Sequence, residues 1–181
     1  GEKQPLRQAS PPITLVFDGR LDNRLDLMGE LGIQPAVGQR YSDAALVLAA
    51  YTRWGDGCLE HFIGEFALAL LEESSGRLLC ARDPLGERTL FYAWQGTRLV
   101  IASEPWAVAA AFDATPDVNE TAVLFDLALL RPSDGQTFFK GIYELLPAHG
   151  MVVSGSGSHS WRYWQPDPER KLHVRSDEEY A

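Results

Sequence analysis

Apolar positions along the chain change period from block to block, and the changes mark the elements. Residues 13–17 form a short apolar run that Asp18-Gly19, a turn pair, should stop. Leu21, Leu25, Leu27, Met28 and Leu31 then fall mostly on one face of a helix that Gly32 closes. Ser42 is a good N-cap, and the alanine-rich stretch from it to Trp54 predicts a second helix, ended by Gly55-Asp56-Gly57. Four strands are predicted next, over residues 66–72, 77–82, 89–94 and 98–103. Asp83-Pro84-Leu85-Gly86 sits between two of them with the residue order of a type I turn. Residues 105–112 and 119–130 predict two further helices. Residues 137–145, 150–154 and 160–164 predict three more strands, the last two joined by a Gly/Ser hairpin loop. Residues 1–12, polar with three prolines, read as an extended lead-in, and residues 165–169 as a linker.

One strand sets the fold class. In residues 66–71 both alternate sets of side chains are apolar, whereas a strand with one wet face should alternate. Such a strand needs cover on both sides, a second sheet on one and helices on the other. The predicted class is therefore α+β, a four-layer α/β/β/α sandwich of mainly antiparallel sheets. A three-layer α/β fold would need parallel crossovers of a dozen or more residues, and these loops are too short.

Size and charge narrow the function. A chain of 181 residues buries roughly 70% of its unfolded surface and needs no metal or disulfide to hold a core. A formal charge of −9 argues against nucleic acid and anionic membrane as partners. Cys58 and Cys80 lie in apolar settings and read as free buried thiols of a cytoplasmic protein. His61, His149, His159 and His173 share no metal-ligand spacing, no serine sits in a nucleophile elbow, and no glycine-rich loop runs from a strand into a helix. Arg82 and Asp83 could form an ion pair at the hairpin. Asp18 is ordinary in a turn, and Asp43, just past an N-cap, gains from the helix dipole.

A series of short motifs adds more. Gln4-Pro5, Phe17-Asp18-Gly19, Tyr41-Ser42-Asp43, Gly64-Glu65-Phe66-Ala67, Ala81-Arg82-Asp83 with Gly86, Ala102-Ser103-Glu104 and Tyr163-Trp164 occur in that order over about residues 4–165. As a set they resemble the class II, N-terminal-nucleophile glutamine amidotransferase domain of the asparagine synthetase family. The resemblance implies a domain over residues 1–165, with residues 166–181 a linker and the start of an ATP- and Mg-using synthetase domain. It also implies that one domain releases ammonia from glutamine and the other adenylates the carboxylate that ammonia attacks. The Ser176-Asp177-Glu178-Glu179 capping-box signature is where that next domain is expected to begin.

By the same resemblance the glutamine pocket is built from Asp18, Gly19, Arg20 and Asp43. Asp43 would hold the α-ammonium and Gly19 would offer a backbone N–H to the oxyanion. Asp18 and Arg20 depart from the family's Asn-Gly-Glu. Loss of one oxyanion donor costs about 2.7–4 kcal/mol, and an aspartate there adds repulsion. The family's terminal cysteine and its carboxylate-gripping arginine precede the Gln-Pro element, so no catalytic residue is assigned within this chain. Cys58 and Cys80 are not chain termini and cannot replace that nucleophile. The Asp-Gly-Arg-Leu-Asp-Asn-Arg string at residues 18–24 is similar to macrolactam formers such as lasso-peptide cyclases and β-lactam synthetases, in which this domain is a non-hydrolysing scaffold and the partner is a peptide or other amine-bearing substrate. A free-standing binding module with the same sandwich is a third reading.

Overall fold

A computed structural model describes residues 3–34, 41–112, 115–130 and 134–169. The elements run β1 (Leu6–Ala9), β2 (Pro12–Leu21), α1 (Arg24–Leu31), α2 (Asp43–Trp54), a 3₁₀ segment (Gly55–His61), β3 (Gly64–Glu72), β4 (Arg77–Arg82), β5 (Phe91–Gln95), β6 (Arg98–Ala102), α3 (Pro105–Ala110), α4 (Glu120–Leu127), β7 (Ile142–Glu144), β8 (His149–Ser154) and β9 (Gly157–Arg162). They make a six-stranded sheet in the order β1-β2-β3-β4-β8-β9 and a three-stranded sheet in the order β6-β5-β7. Every pairing between the named strands is antiparallel.

Three apolar clusters lie between the layers and show how they stack. The largest joins Leu15, Phe17, Phe66, Leu68 and Leu70 of the six-stranded sheet to Leu27 and Met28 of α1 and Leu46, Val47 and Tyr51 of α2. The other face of that sheet, through Ala67, Cys80 and Met151, meets Leu90, Tyr92, Ile101 and Leu145 from the side of the small sheet. The small sheet's outer face, Ala93 and Ile142, packs on Val108 and Ala109 of α3. Helix, sheet, sheet and helix follow in order, so β3 is covered on both faces as its two apolar sets require.

Several expectations need correction. Residues 6–9 are not merely a lead-in: they form β1, paired with β2 at Leu6↔Leu15. Asp18-Gly19 does not stop the strand either. β3 runs alongside and offers a partner to each residue from Ile13 to Leu21, so β2 continues to Leu21. Leu21 therefore belongs to a strand, α1 begins at Arg24, and Leu25 points to solvent. The junction is held by Asn23, whose side chain donates to the His61 carbonyl and accepts from the Ile63 N–H. The strand expected over residues 137–145 contracts to β7, with isolated bridges at Gln136↔Tyr143 and Val118↔Phe139. The capping box at residues 176–179 lies outside the described residues. Among the described residues no helix is long and apolar enough to cross a membrane.

Candidate functional site

Three strand ends meet at one edge of the sandwich. Asp18 on β2 is opposite Ala67 on β3, and Ala67 is opposite Arg82 on β4. Gly19 and Gly64 let the β2 and β3 backbones close up there. A Cβ on Gly19 would lie 2.1 Å from the Glu65 carbonyl oxygen, and one on Gly64 would lie 2.1 Å from that of Arg20. Their φ values of 145° and 149° also favour glycine.

Asp43 reaches this edge from the helical layer. Its Oδ2 accepts from the Leu21 N–H at 3.0 Å, and its Oδ1 is ion-paired with Arg24. Arg24 also donates to the Tyr41 carbonyl at 2.6 Å, and Ser42 caps α2 by accepting from the Ala45 N–H. Asp43 thus lies by the backbone two residues past Gly19, with both oxygens engaged inside the fold. Asp18 and Arg20 alternate with Phe17 and Leu21 along β2, so their side chains leave the opposite face of the sheet. There Arg20 pairs with Asp22 at 2.7 Å and Glu65 at 3.3 Å. Arg88 joins them, 3.3 Å from Glu65 and 3.9 Å from Asp18. The structure brings the Asp18–Arg20 backbone and Asp43 to one edge, with the Asp18 and Arg20 side chains on the sheet face away from the helices.

Arg88 had no distinguishing signal in the sequence, and the loop that carries it is a knot tied by two buried charges. The expected Arg82–Asp83 ion pair is replaced by two separate networks. Arg82, almost fully buried, pairs with Glu144 at 2.6 Å and donates to the carbonyls of Gly86, Arg88 and Leu145. Asp83, also buried, accepts from the backbone N–H groups of Leu85, Glu87 and Arg88. Adjacent residues on an extended chain point apart, so each finds partners on its own side. Tyr163 donates to the Arg82 carbonyl at 2.6 Å, and burial, with the Asp83 carboxylate as a lesser cause, pushes its phenol up. On the far side of the knot lies a cavity of about 540 Å³, whose walls include Arg82, Phe91, Glu144 and Pro147.

Both cysteines are buried and free. Desolvation pushes each thiol up to about 12, with Asp56 adding to the effect on Cys58. Neither is a thiolate at neutral pH, so neither is an activated nucleophile.

The family model described as a glutamine amidotransferase domain matches residues 1–164. Asparagine synthetase (glutamine-hydrolyzing) 3 of Bacillus subtilis is 34% identical over 174 residues, which cover 94% of this chain and 28% of that protein. The putative asparagine synthetase (glutamine-hydrolyzing) 2 of Methanocaldococcus jannaschii is 24% identical over 160 residues, 86% of this chain and 30% of that one. The chain thus spans less than a third of the length of these relatives. Glutamine phosphoribosylpyrophosphate amidotransferase from B. subtilis, solved with ADP and GMP, matches in structure with a TM-score of 0.60 at 22% identity, over 90% of this chain and 32% of that one. At that identity the likeness is one of fold, the N-terminal-nucleophile hydrolase sandwich. With sequence and fold in agreement, the chain belongs to the glutamine amidotransferase domain family, in the class II form carried by asparagine synthetases.

Proposed function

We propose that this domain is the glutamine-handling half of an ATP-dependent, amide-bond-forming enzyme of the asparagine synthetase kind. The observation that carries the reading is the meeting of Gly19 and Asp43 at one sheet edge, where the Asp43 carboxylate takes the N–H of Leu21. In this reading Asp43 receives the α-ammonium of glutamine and the Gly19 N–H faces the oxyanion. The thiolate is the family's terminal cysteine, because Cys58 and Cys80 are buried and protonated. ATP and Mg act in a synthetase domain. Among the described residues no group of three or more His, Cys, Asp or Glu could hold a metal ion, and none here is assigned to one. Two unpaired thiols support a cytoplasmic setting.

One observation favours a second reading. Arg24 already occupies Asp43, so an internal cation stands where the substrate's ammonium would bind. With Asp18 in place of a neutral donor, the domain would then be a non-hydrolysing scaffold in a macrolactam former of the lasso-peptide cyclase or β-lactam synthetase kind, and its partner a peptide or other amine-bearing substrate. The test is glutaminase activity of the full-length protein, measured beside ATP-dependent amide formation. Ammonia release from glutamine coupled to amide formation supports the first reading. ATP turnover with an amine-bearing substrate and no glutaminase activity supports the second. The 181-residue chain alone is expected to release no ammonia above a buffer blank.

A further inference from the structure

The six-stranded sheet ends on β9, and among the described residues no strand lies beyond it. β9 therefore offers an open row of backbone N–H and C=O groups, and every residue in it but Trp161 is exposed. The sheet's other edge is guarded. There β1 has only four residues, with Pro5 before it and Pro11 and Pro12 after it. β9 has six residues, none of them proline or lysine. An edge left open in this way can take an added strand.

A cleft of about 380 Å³ lies over the same strand, on the side of the helical layer. His159 and Trp161 of β9 line it with stacked rings, their centroids 6.0 Å apart and their planes 8° from parallel. Gly150 on β8 makes room for the indole, since a Cβ there would lie 2.7 Å from Cζ2 of Trp161. Asp56 and Glu60 enter from the 3₁₀ segment. Arg77 lines the cleft too, but it is already held by Asp56, the Tyr51 hydroxyl and Glu72. Arg162 leaves the opposite face of β9 from Trp161. Glu60 has no partner among the described residues, so aromatic rings stand beside an uncompensated carboxylate. A guanidinium suits both, because its plane stacks on an indole and its fork donates to a carboxylate.

The open edge and the cleft share β9, and together they select the partner. A strand added along β9 turns every second side chain to the helical side, beside His159 and Trp161. A second copy pairing β9 with β9 would bring only histidine and tryptophan to that side and carry its own Arg162 away from it. A formal charge of −9 on each copy also opposes that contact. We infer that β9 takes an extended peptide on its free edge, with an arginine of that peptide stacked on Trp161 and paired with Glu60. This surface lies four strands from β2, about 19 Å across the sheet, and is independent of either reading of the glutamine site.

The test follows the anisotropy of a fluorescein-labelled peptide, Thr-Val-Thr-Arg-Thr-Val-Thr, titrated with the full-length protein. It should bind, and citrulline in place of arginine should weaken binding about tenfold or more. Glu60→Gln in the protein should erase most of that preference. N-methylation of one alternate set of peptide amides should also weaken binding about tenfold, and methylation of the other set much less, because only one set faces β9. Failure of the peptide to bind, or equal binding of its arginine and citrulline forms, overturns the inference. Argininamide that binds as tightly as the peptide also overturns it, in favour of a small-molecule site. A sedimenting dimer whose β9 amides are protected from hydrogen exchange overturns it in favour of a second copy.

Discussion

The loop after β4 carries charge at both ends, and the two ends behave in opposite ways. At its start Arg82 and Asp83 are almost fully buried, and among the described side chains no buried polar atom of either lacks a partner. At its far end Arg88 is partly exposed, shares Glu65 with Arg20, and keeps a buried Nε with no partner. The first pair fixes backbone through many directed hydrogen bonds in a low-dielectric setting. The second is a loose exchange of partners near water, where an ion pair is worth little. The difference separates the residues that build the edge from those free to meet something at it.

Substitutions can break this contrast. Asp83→Ala strips the acceptor from three backbone N–H groups and should cost about 3–5 kcal/mol, read as a fall in the urea midpoint at constant slope. A loss under about 1 kcal/mol would mean that the carboxylate does not hold the loop. Gly19→Ala comes next, at about 1–3 kcal/mol for the backbone strain with the clash at the Glu65 carbonyl added. Its measurement is the thermal midpoint, and an unchanged value would show that β2 and β3 can part without loss. Arg88→Ala should cost under about 1 kcal/mol in the same assay. If it cost as much as Asp83→Ala, the contrast between the loop's ends would be lost.

The smallest effect sharpens the same point at the other end of the sheet. The Tyr51 hydroxyl, and after it that of Ser75, hold the Glu72 carboxyl below its ordinary value. A folded-state pKa that is depressed adds stability that is present above the unfolded pKa and lost as pH falls through the folded one. Glu72→Gln should therefore lower stability slightly at neutral pH, and the gap to the parent should close below the usual carboxylate range. A gap that widened in acid would reverse the assignment.

What the sequence disclosed was what neighbours along the chain decide. Residues 66–71 are apolar on both faces wherever their partners lie, so the four layers could be argued before any contact was known. Gly32 and Ser42 bound their helices as expected, Gly32 in the left-handed conformation and Ser42 accepting from Ala45. Asp18-Gly19 misled because its glycine serves a close approach to the Glu65–Phe66 backbone rather than a turn, and composition does not tell the two uses apart. The Arg82–Glu144 pair spans 62 positions, and no local pattern announces it. The candidate site was legible only as a resemblance. The sequence placed Asp18, Gly19, Arg20 and Asp43 in order, but which face of β2 each side chain leaves depends on the length of β2, which had been cut short. α4 was legible as a helix, whereas the exposure of Leu124 and Leu127 was not, since leucines one turn apart read as a face turned to the core.

The two thiols sit in different seams of the sandwich, Cys58 in the helix-to-sheet cluster and Cys80 in the sheet-to-sheet cluster. Neither can meet a reagent unless its own seam parts, so each is a built-in clock for one opening motion. In native conditions, matching alkylation rates would mean that the layers come apart as a single cooperative unit. A faster Cys80 would mean that the small sheet lifts away while the helical half stays shut.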